Sequence, residues 1–175
     1  MAEYPLHLVR RRTLTDGRAV VIRPIRVEDE TPTRDFFDHL SAESRQMRFM
    51  KFVRSLSDKL VHFFTHVDYE KHMAFVCEAE VAGKPALVGE ARYVGNADGR
   101  SCEFGVVVAD DWHHSGIAGL LMDALIRAAR ANRFETMEGL VLRDNRDMIR
   151  FVRALGFEAS PDPVESTLMR AVKKL

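Results

Sequence analysis

The sequence predicts an α/β (α+β) domain, a mixed and mostly antiparallel sheet flanked by helices, on three observations. Between Met73 and Ala109, β-rich runs are separated only by short Gly- and Asn-containing turns, the mark of an antiparallel meander. Helical patterns lie before and after that block, from Glu30 to His66 and from Ile117 to about Asn132. At Cys102–Gly119 the two kinds of segment meet: an apolar β-branched run, a short polar loop with a Gly-rich turn, and a long amphipathic segment. That order reads strand, loop, helix.

The bounds agree with one domain. A chain of 175 residues that is 46% hydrophobic can build a single sizeable core. Lys plus Arg (26) equals Asp plus Glu (26), so the basic excess that usually accompanies a nucleic-acid partner is missing. No run approaches the roughly 18 apolar residues of a membrane span, and Arg10–Arg12 are followed by no apolar signal core. Neither nucleic acid nor membrane is expected as a partner, and a cytoplasmic location is. Cys77 and Cys102 sit in apolar runs without a C-x-x-C pair, so both are expected to be buried reduced thiols.

The elements follow in order. Residues 1–12 lack periodicity and are expected to form an N-terminal arm or a short edge strand, the domain itself running over 13–175. Asp16-Gly17 signals a turn before a strand at Ala19–Ile25. A helix is expected at Glu30–Leu40, with Pro32 acceptable only in its first turn. Ser41 and Ser44 open a second helix through Met50, and Ser57 caps a third at Asp58–His66. Strands follow at Met73–Ala79, Ala86–Val94 and Ser101–Ala109. After the helix from Ile117 come a strand at Glu138–Leu142, a helix at Met148–Leu155 closed by Gly156, and a last strand near Ser166–Val172.

Three features carry chemistry. The turn His113-His114-Ser115-Gly116-Ile117-Ala118-Gly119 opens a helix, where unpartnered N–H groups and a positive dipole attract anions. Its small residues would let a diphosphate touch those amides, although an ordinary glycine-containing helix start is the alternative. The spacing is neither G-x-x-x-x-G-K-S/T nor G-x-G-x-x-G. In the central strand, Cys102, Phe104, Val106 and Val108 share one face and Glu103, Gly105 and Val107 the other. Glu103 is the odd residue, because a lone buried carboxylate is expensive and is usually paired or functional. Gly105 commonly marks a bulge or a close backbone approach. His62 and His66 have a spacing that can hold zinc, but with no Glu between them and no evident third ligand no metal is expected. Asp35, Asp38, Glu43, Asp58, Asp68 and Glu70 could favour a cationic substrate or form a solvated helix face.

The turn matches the acyl-CoA signature Q/R-x-x-G-x-G/A of the GNAT N-acetyltransferases at His113, Gly116 and Ala118, with His113 where Gln or Arg is usual. Asn145 to Phe157 resembles the second family signature, N-x-x-A-I-x-x-Y-x-x-x-G-F, with Val152 at the tyrosine. Arg23–Arg26, Ser44–Phe49, Phe64–Tyr69, Glu103–Val108 and Asp110–Trp112 resemble the GNAT domain of bacterial Pat-type protein lysine acetyltransferases, and this likeness extends from Asp16 to Phe157.

The resemblance implies a single GNAT domain with a splayed central strand and acetyl-CoA as cofactor. The main chain of Val106, Val107 and Val108 would bind the pantetheine arm. His113, His114, Ser115, Gly116, Ile117, Ala118 and Gly119 would cradle the pyrophosphate. Asn145 would contact the pantetheine or its loop, unless it is a simple helix cap. A lysine amine has a pKa near 10.4 and must lose a proton before it attacks, so a base is needed. The resemblance assigns Glu103 to that role, directly or through water, with a structural salt bridge as the alternative. A backbone N–H near Val106 would stabilise the developing oxyanion, and Ser115 or a water would protonate the departing thiolate. The implied acceptor is a protein lysine, acyl-CoA synthetases being notable targets of such enzymes. A small-molecule amine N-acetyltransferase and a non-catalytic acyl-CoA sensor remain as alternatives. Many Pat-type enzymes carry an extra regulatory or synthetase-like domain; with the catalytic domain alone, ligand control is expected to be absent or to lie on another protein.

Overall fold

The computed structural model describes residues 2–175. In chain order the elements are β1 (Arg10–Thr13), β2 (Ala19–Pro24), α1 (Glu30–His39), α2 (Ala42–Phe49), α3 (Asp58–Thr65), β3 (His72–Val81), β4 (Lys84–Gly95), β5 (Ser101–Val108), α4 (Ile117–Ala131), β6 (Thr136–Leu142), α5 (Arg146–Ala154), β7 (Glu158–Pro161) and β8 (Leu168–Lys174). The strands form one sheet of order β1-β2-β3-β4-β5-β6-β8-β7. Every neighbouring pair is antiparallel except β5 and β6, which are parallel. The meander β3-β4-β5 arises from two tight turns, after which α4 carries the chain across the sheet to β6, since a parallel neighbour needs a crossover.

Local chemistry sets the helix ends. Ser41 Oγ accepts from the Ser44 N–H at 3.1 Å, and Ser57 Oγ accepts from the Leu60 N–H at 3.2 Å, so each cap satisfies a donor the helix cannot. Asn145 does the same for α5, accepting from the Met148 N–H at 3.2 Å. α5 accordingly starts at Arg146, earlier than the periodicity alone suggests. The sheet begins at Arg10, so the last three residues of the expected arm are an edge strand paired with β2. β7 has no counterpart in the sequence reading. It is a short edge strand ending in Pro161, without apolar alternation, and only its pairing with β8 makes it a strand.

The two sheet faces bury different layers. One packs α4, through Ile117, Leu121, Met122 and Leu125, against Met73, Phe75, Ala91 and Tyr93, all within one apolar cluster. The other packs Phe36, Phe37, Leu40, Val61 and Phe64 from α1 to α3 against Ala74 and Val76. Both cysteines are buried and unpaired, and burial pushes each thiol up to about 12. No helix among the described residues is long and apolar enough to cross a membrane.

Candidate active site

The parallel pairing of β5 with β6 lasts only from Ser101↔Thr136 to Glu103↔Glu138, and beyond it the strands part. The Phe104 ring lies over Gly139, where an added Cβ would sit 2.5 Å from the ring, and it packs on Phe157 at a centroid distance of 5.0 Å. A bulky aromatic therefore fills the point at which the ladder ends.

The parting frees part of the β5 backbone. The Ala109 N–H donates to the Val88 carbonyl at 2.8 Å, which sets the alternation along β5: Ala109, Val107, Gly105 and Glu103 turn their main chain to β4. Phe104, Val106 and Val108 turn theirs to the gap. The three expected main-chain binders thus divide, Val107 being committed to β4. The Val108 carbonyl accepts from His113 Nε2 at 2.9 Å, so that ring nitrogen carries a proton and the His113 side chain is held back against the end of β5.

Between β5 and α4 the chain makes a 3-10 turn at Asp110–Trp112, then passes through His114 (φ 58°) and Gly116 (φ 90°) into the helix. The left-handed conformation at Gly116 is free of strain for a residue without Cβ. Ser115 is buried and its hydroxyl donates to the Trp112 carbonyl at 2.5 Å, so it fastens the turn and its proton is already committed. The first α4 bond runs from the Leu120 N–H to the Gly116 carbonyl at 3.2 Å, which leaves the Ile117, Ala118 and Gly119 amides without intrahelical acceptors. A Cβ built at Gly116 or Gly119 would meet nothing within 4 Å. Packing within the protein does not require these glycines; the space they leave is outside it, over a positive helix end. A phosphate fits there on charge, donors and room.

On the α1–α3 side of β5, Glu103 is exposed rather than buried in its apolar strand. Its neighbour on β6, Glu138, accepts from Asn96 Nδ2 at 3.0 Å and from Arg170 at 3.2 Å. Glu103 itself has no hydrogen bond or ion pair among the described residues, so the salt-bridge alternative is not what the structure shows. Gly105 marks a close approach: the Arg48 guanidinium occupies the place of its missing side chain, with Cζ 2.6 Å from an ideal Cβ. Burial disfavours the charge on Arg48, as does Arg92, while Glu90 and Glu103 oppose them.

Beside Arg48 lies a buried polar network that the sequence reading missed. Glu90 pairs with Arg92, whose guanidinium also reaches His72 Nε2 at 2.8 Å and the Phe64 carbonyl at 3.1 Å, with the Phe64 ring 4.0 Å below. Nε2 acts as acceptor there, so His72 is neutral. Burial, and then the Arg92 charge, push it down to about 4. Burial acts to raise the Glu90 carboxyl, but Arg92 and Arg48 outweigh it and hold it below the usual range. The available signal was Glu90 and Arg92 at period two within an apolar run. The network reaches the turn after β5 through α2: Asp110 accepts from the Ser41 N–H and Oγ, each at 2.9 Å, and from Ser44 Oγ at 2.6 Å.

At the second signature, Asn145 is the buried cap described above, and Val152 is fully buried. Neither Val152 nor the committed Ser115 supplies an acid. An accessible carboxylate and an N–H donor in a gap lie along β5, and an anion-ready helix end follows it, an arrangement suited to moving an acyl group from a phosphorylated carrier to a nucleophile.

The acetyltransferase (GNAT) family model matches residues 34–157. An acetyltransferase of Pseudomonas aeruginosa is 37% identical over 155 residues, covering 89% of this chain and 83% of that protein. Among solved structures, the GNAT domain of S. lividans PAT superposes with a TM-score of 0.89 at 26% identity, covering 99% of this chain and 100% of that one. YncA of Salmonella typhimurium, solved with its cofactor acetyl-CoA, shares the fold with a TM-score of 0.71 at 18% identity, covering 89% of this chain and 94% of that one.

Proposed function

The chain belongs to the GNAT acetyltransferase family, and from that premise we propose that it is an acetyl-CoA-dependent N-acetyltransferase whose acceptor is the lysine amine of a protein, with Glu103 as general base. Acetyl-CoA, when bound, supplies an activated acyl group on a thiol leaving group. The residues that hold it are Val106 and Val108, by main chain in the gap, and Ile117, Ala118 and Gly119, by their amides at the head of α4. His113, His114, Ser115 and Gly116 shape that turn, while Val107 is held to β4 and Asn145 caps α5.

The observation that carries the reading is Glu103, an exposed and unpaired carboxylate at the last rung before the strands part. A protonated amine arriving there meets an acceptor for its proton, directly or through one water, and becomes a nucleophile. The Val106 N–H points into the gap and donates to the carbonyl oxygen as it gains negative charge. A thiol pKa near 8.5 makes the leaving group tolerable without a dedicated acid, so solvent can return the proton.

Protein as acceptor is supported by openness. Glu103 is not sealed in a pocket, and the layer over the same sheet face exposes Phe52, between α2 and α3, and Phe63, on α3. The likeness to the S. lividans domain and the stretches shared with Pat-type enzymes support the same class, acyl-CoA synthetases being the first targets to try. A cytoplasmic location belongs to this reading and rests on two unpaired thiols. Purified protein and acetyl-CoA should acetylate defined lysines in a panel of acyl-CoA synthetases, located by mass spectrometry, and Glu103→Gln should slow it by about 10²–10⁴-fold. Turnover with free amines alone would instead assign a small-molecule enzyme, and binding without any turnover a sensor.

A further inference from the structure

We propose that Glu30, His62 and His66 form a surface site for a divalent transition-metal ion of the zinc type, clipping the start of α1 to α3. The two histidines lie on successive turns of α3, and Glu30 is the first residue of α1. One donor atom from each residue lies within 4.8 Å of the other two. Glu30 Oε1 is 3.6 Å from Nδ1 of His62 and 3.6 Å from Nδ1 of His66. That separation is longer than a good hydrogen bond. It is close to the edge of a tetrahedron whose ligands stand about 2.0–2.1 Å from a zinc ion, an edge of about 3.4 Å.

The imidazole rings stack at a centroid distance of 3.6 Å with their planes 22° apart, and both Nδ1 atoms lie 3.6 Å from the same carboxylate oxygen, so a small opening of the stack turns both in-plane lone pairs to one centre. Two neutral imidazoles and one carboxylate are a donor set borderline divalent ions prefer, and three protein ligands leave a fourth position for water. His66 Nδ1 also lies 3.1 Å from the His62 carbonyl and 3.1 Å from Thr65 Oγ1. In the metal-free state an Nδ1–H would donate to one of them; an ion takes the Nδ1 lone pair of the Nε2–H tautomer instead, the ring losing the Nδ1 proton to solvent, taking one up at Nε2 and staying neutral. Side-chain exposures of 65% for His62, 36% for His66 and 48% for Glu30 let both rings tilt to a common centre without disturbing the core.

The site is separate from β5, and its effect falls on the α1–α3 layer. α1 and α3 together enclose the apolar cluster of Phe36, Phe37, Val61 and Phe64. Joining them by coordination stabilises that layer whenever the ion binds the folded chain better than the unfolded one.

The test is titration of the tag-free, full-length protein with Zn(II) by calorimetry, with Tm followed in parallel. One ion per chain should bind and Tm should rise to saturation at one equivalent. His62→Ala and His66→Ala should each weaken binding by more than about tenfold, since even groups that merely support a metal ligand are worth about 10- to 100-fold. Glu30→Gln should weaken it too, while His39→Ala, an exposed histidine outside the cluster, should not. Matching Tm values for all variants in chelator would show that folding is unaffected. No saturable binding, or binding that survives His62→Ala combined with His66→Ala, would overturn the proposal; in the second case the ion would sit elsewhere, as at His113–His114.

Discussion

The proposed cofactor side of the gap comes from one continuous stretch, whereas the proposed acceptor side is assembled from segments far apart in the chain. Between Cys102 and Gly119 lie the strand that parts from its neighbour, the turn and the bare head of α4, and most of what they offer is main chain. On the same sheet face as Glu103, Arg48 from α2 fills the space over Gly105, and Glu90 and Arg92 from β4 with His72 from β3 form a network of side chains, while Asn96 and Arg170 fix the neighbouring Glu138. Backbone donors suit the phosphates and the amide-containing arm of a fixed cofactor, because every residue carries them and only side-chain bulk can hide them. An acceptor is recognised by side chains, which can change without disturbing the cofactor site. Substitutions should therefore separate cofactor binding from acceptor chemistry.

The largest separation should come from Glu103→Gln. Removing the base should lower kcat by about 10²–10⁴-fold, while acetyl-CoA affinity, measured by calorimetry, stays within about twofold because Gln keeps the shape of Glu. Equal losses in both would break the division.

Next is the polar network on the acceptor side. His72 is held at about 4 in the folded chain against an ordinary 6.5, so between those values the unfolded chain binds the extra proton. Stability is therefore fully present above about pH 6.5 and falls as pH drops toward 4, by an upper bound of about 3 kcal/mol. Chemical denaturation at pH 7 and pH 4.5 should show this, and His72→Gln should flatten the histidine part of the slope.

Gly119→Leu tests the cofactor side alone. Nothing in the protein stands where the side chain would begin, and leucine is the better helix former by up to about 0.8 kcal/mol. Thermal stability should be unchanged or slightly higher while acetyl-CoA binding weakens at least about tenfold, or about 1.4 kcal/mol. Unchanged binding would remove the anion site from the head of α4.

The smallest effect is expected from Gly105→Ala. Its Cβ would meet the end of the Arg48 side chain, which is flexible, so the guanidinium should move aside at about 1 kcal/mol or less. KM for the acceptor should rise a few-fold with acetyl-CoA affinity constant. A change in both would mean that Arg48 serves the cofactor as well.

The same division governs what could be read in advance. Ser41, Ser57 and the Gly116 turn announced their helices because capping and positive φ are settled within a few residues. Strands β3 to β5 were legible from turns and alternation, whereas β7 was not, because its only support is β8. For the site, Glu103 and the turn were visible as a carboxylate in an apolar run and a glycine-rich helix start. The sequence could not show that Glu103 is exposed, that Val107 faces β4 or that Ser115 spends its proton on Trp112, and it left Asn145 open between a cofactor contact and the helix cap that it is.

The third ligand beside His62 and His66 was hidden for the same reason, since Glu30 joins them only when α1 packs near α3. By itself the sequence determined the five helices, the strands other than β7, their order and the chemistry of the Cys102–Gly119 stretch, because hydrogen bonding and periodicity there act between near neighbours. The tertiary structure decided where β5 leaves β6, which backbone groups that frees, and that Glu103 stands exposed and unpaired on a face that also carries Arg48. Those depend on sheet register and on burial between distant segments, and a linear pattern carries neither.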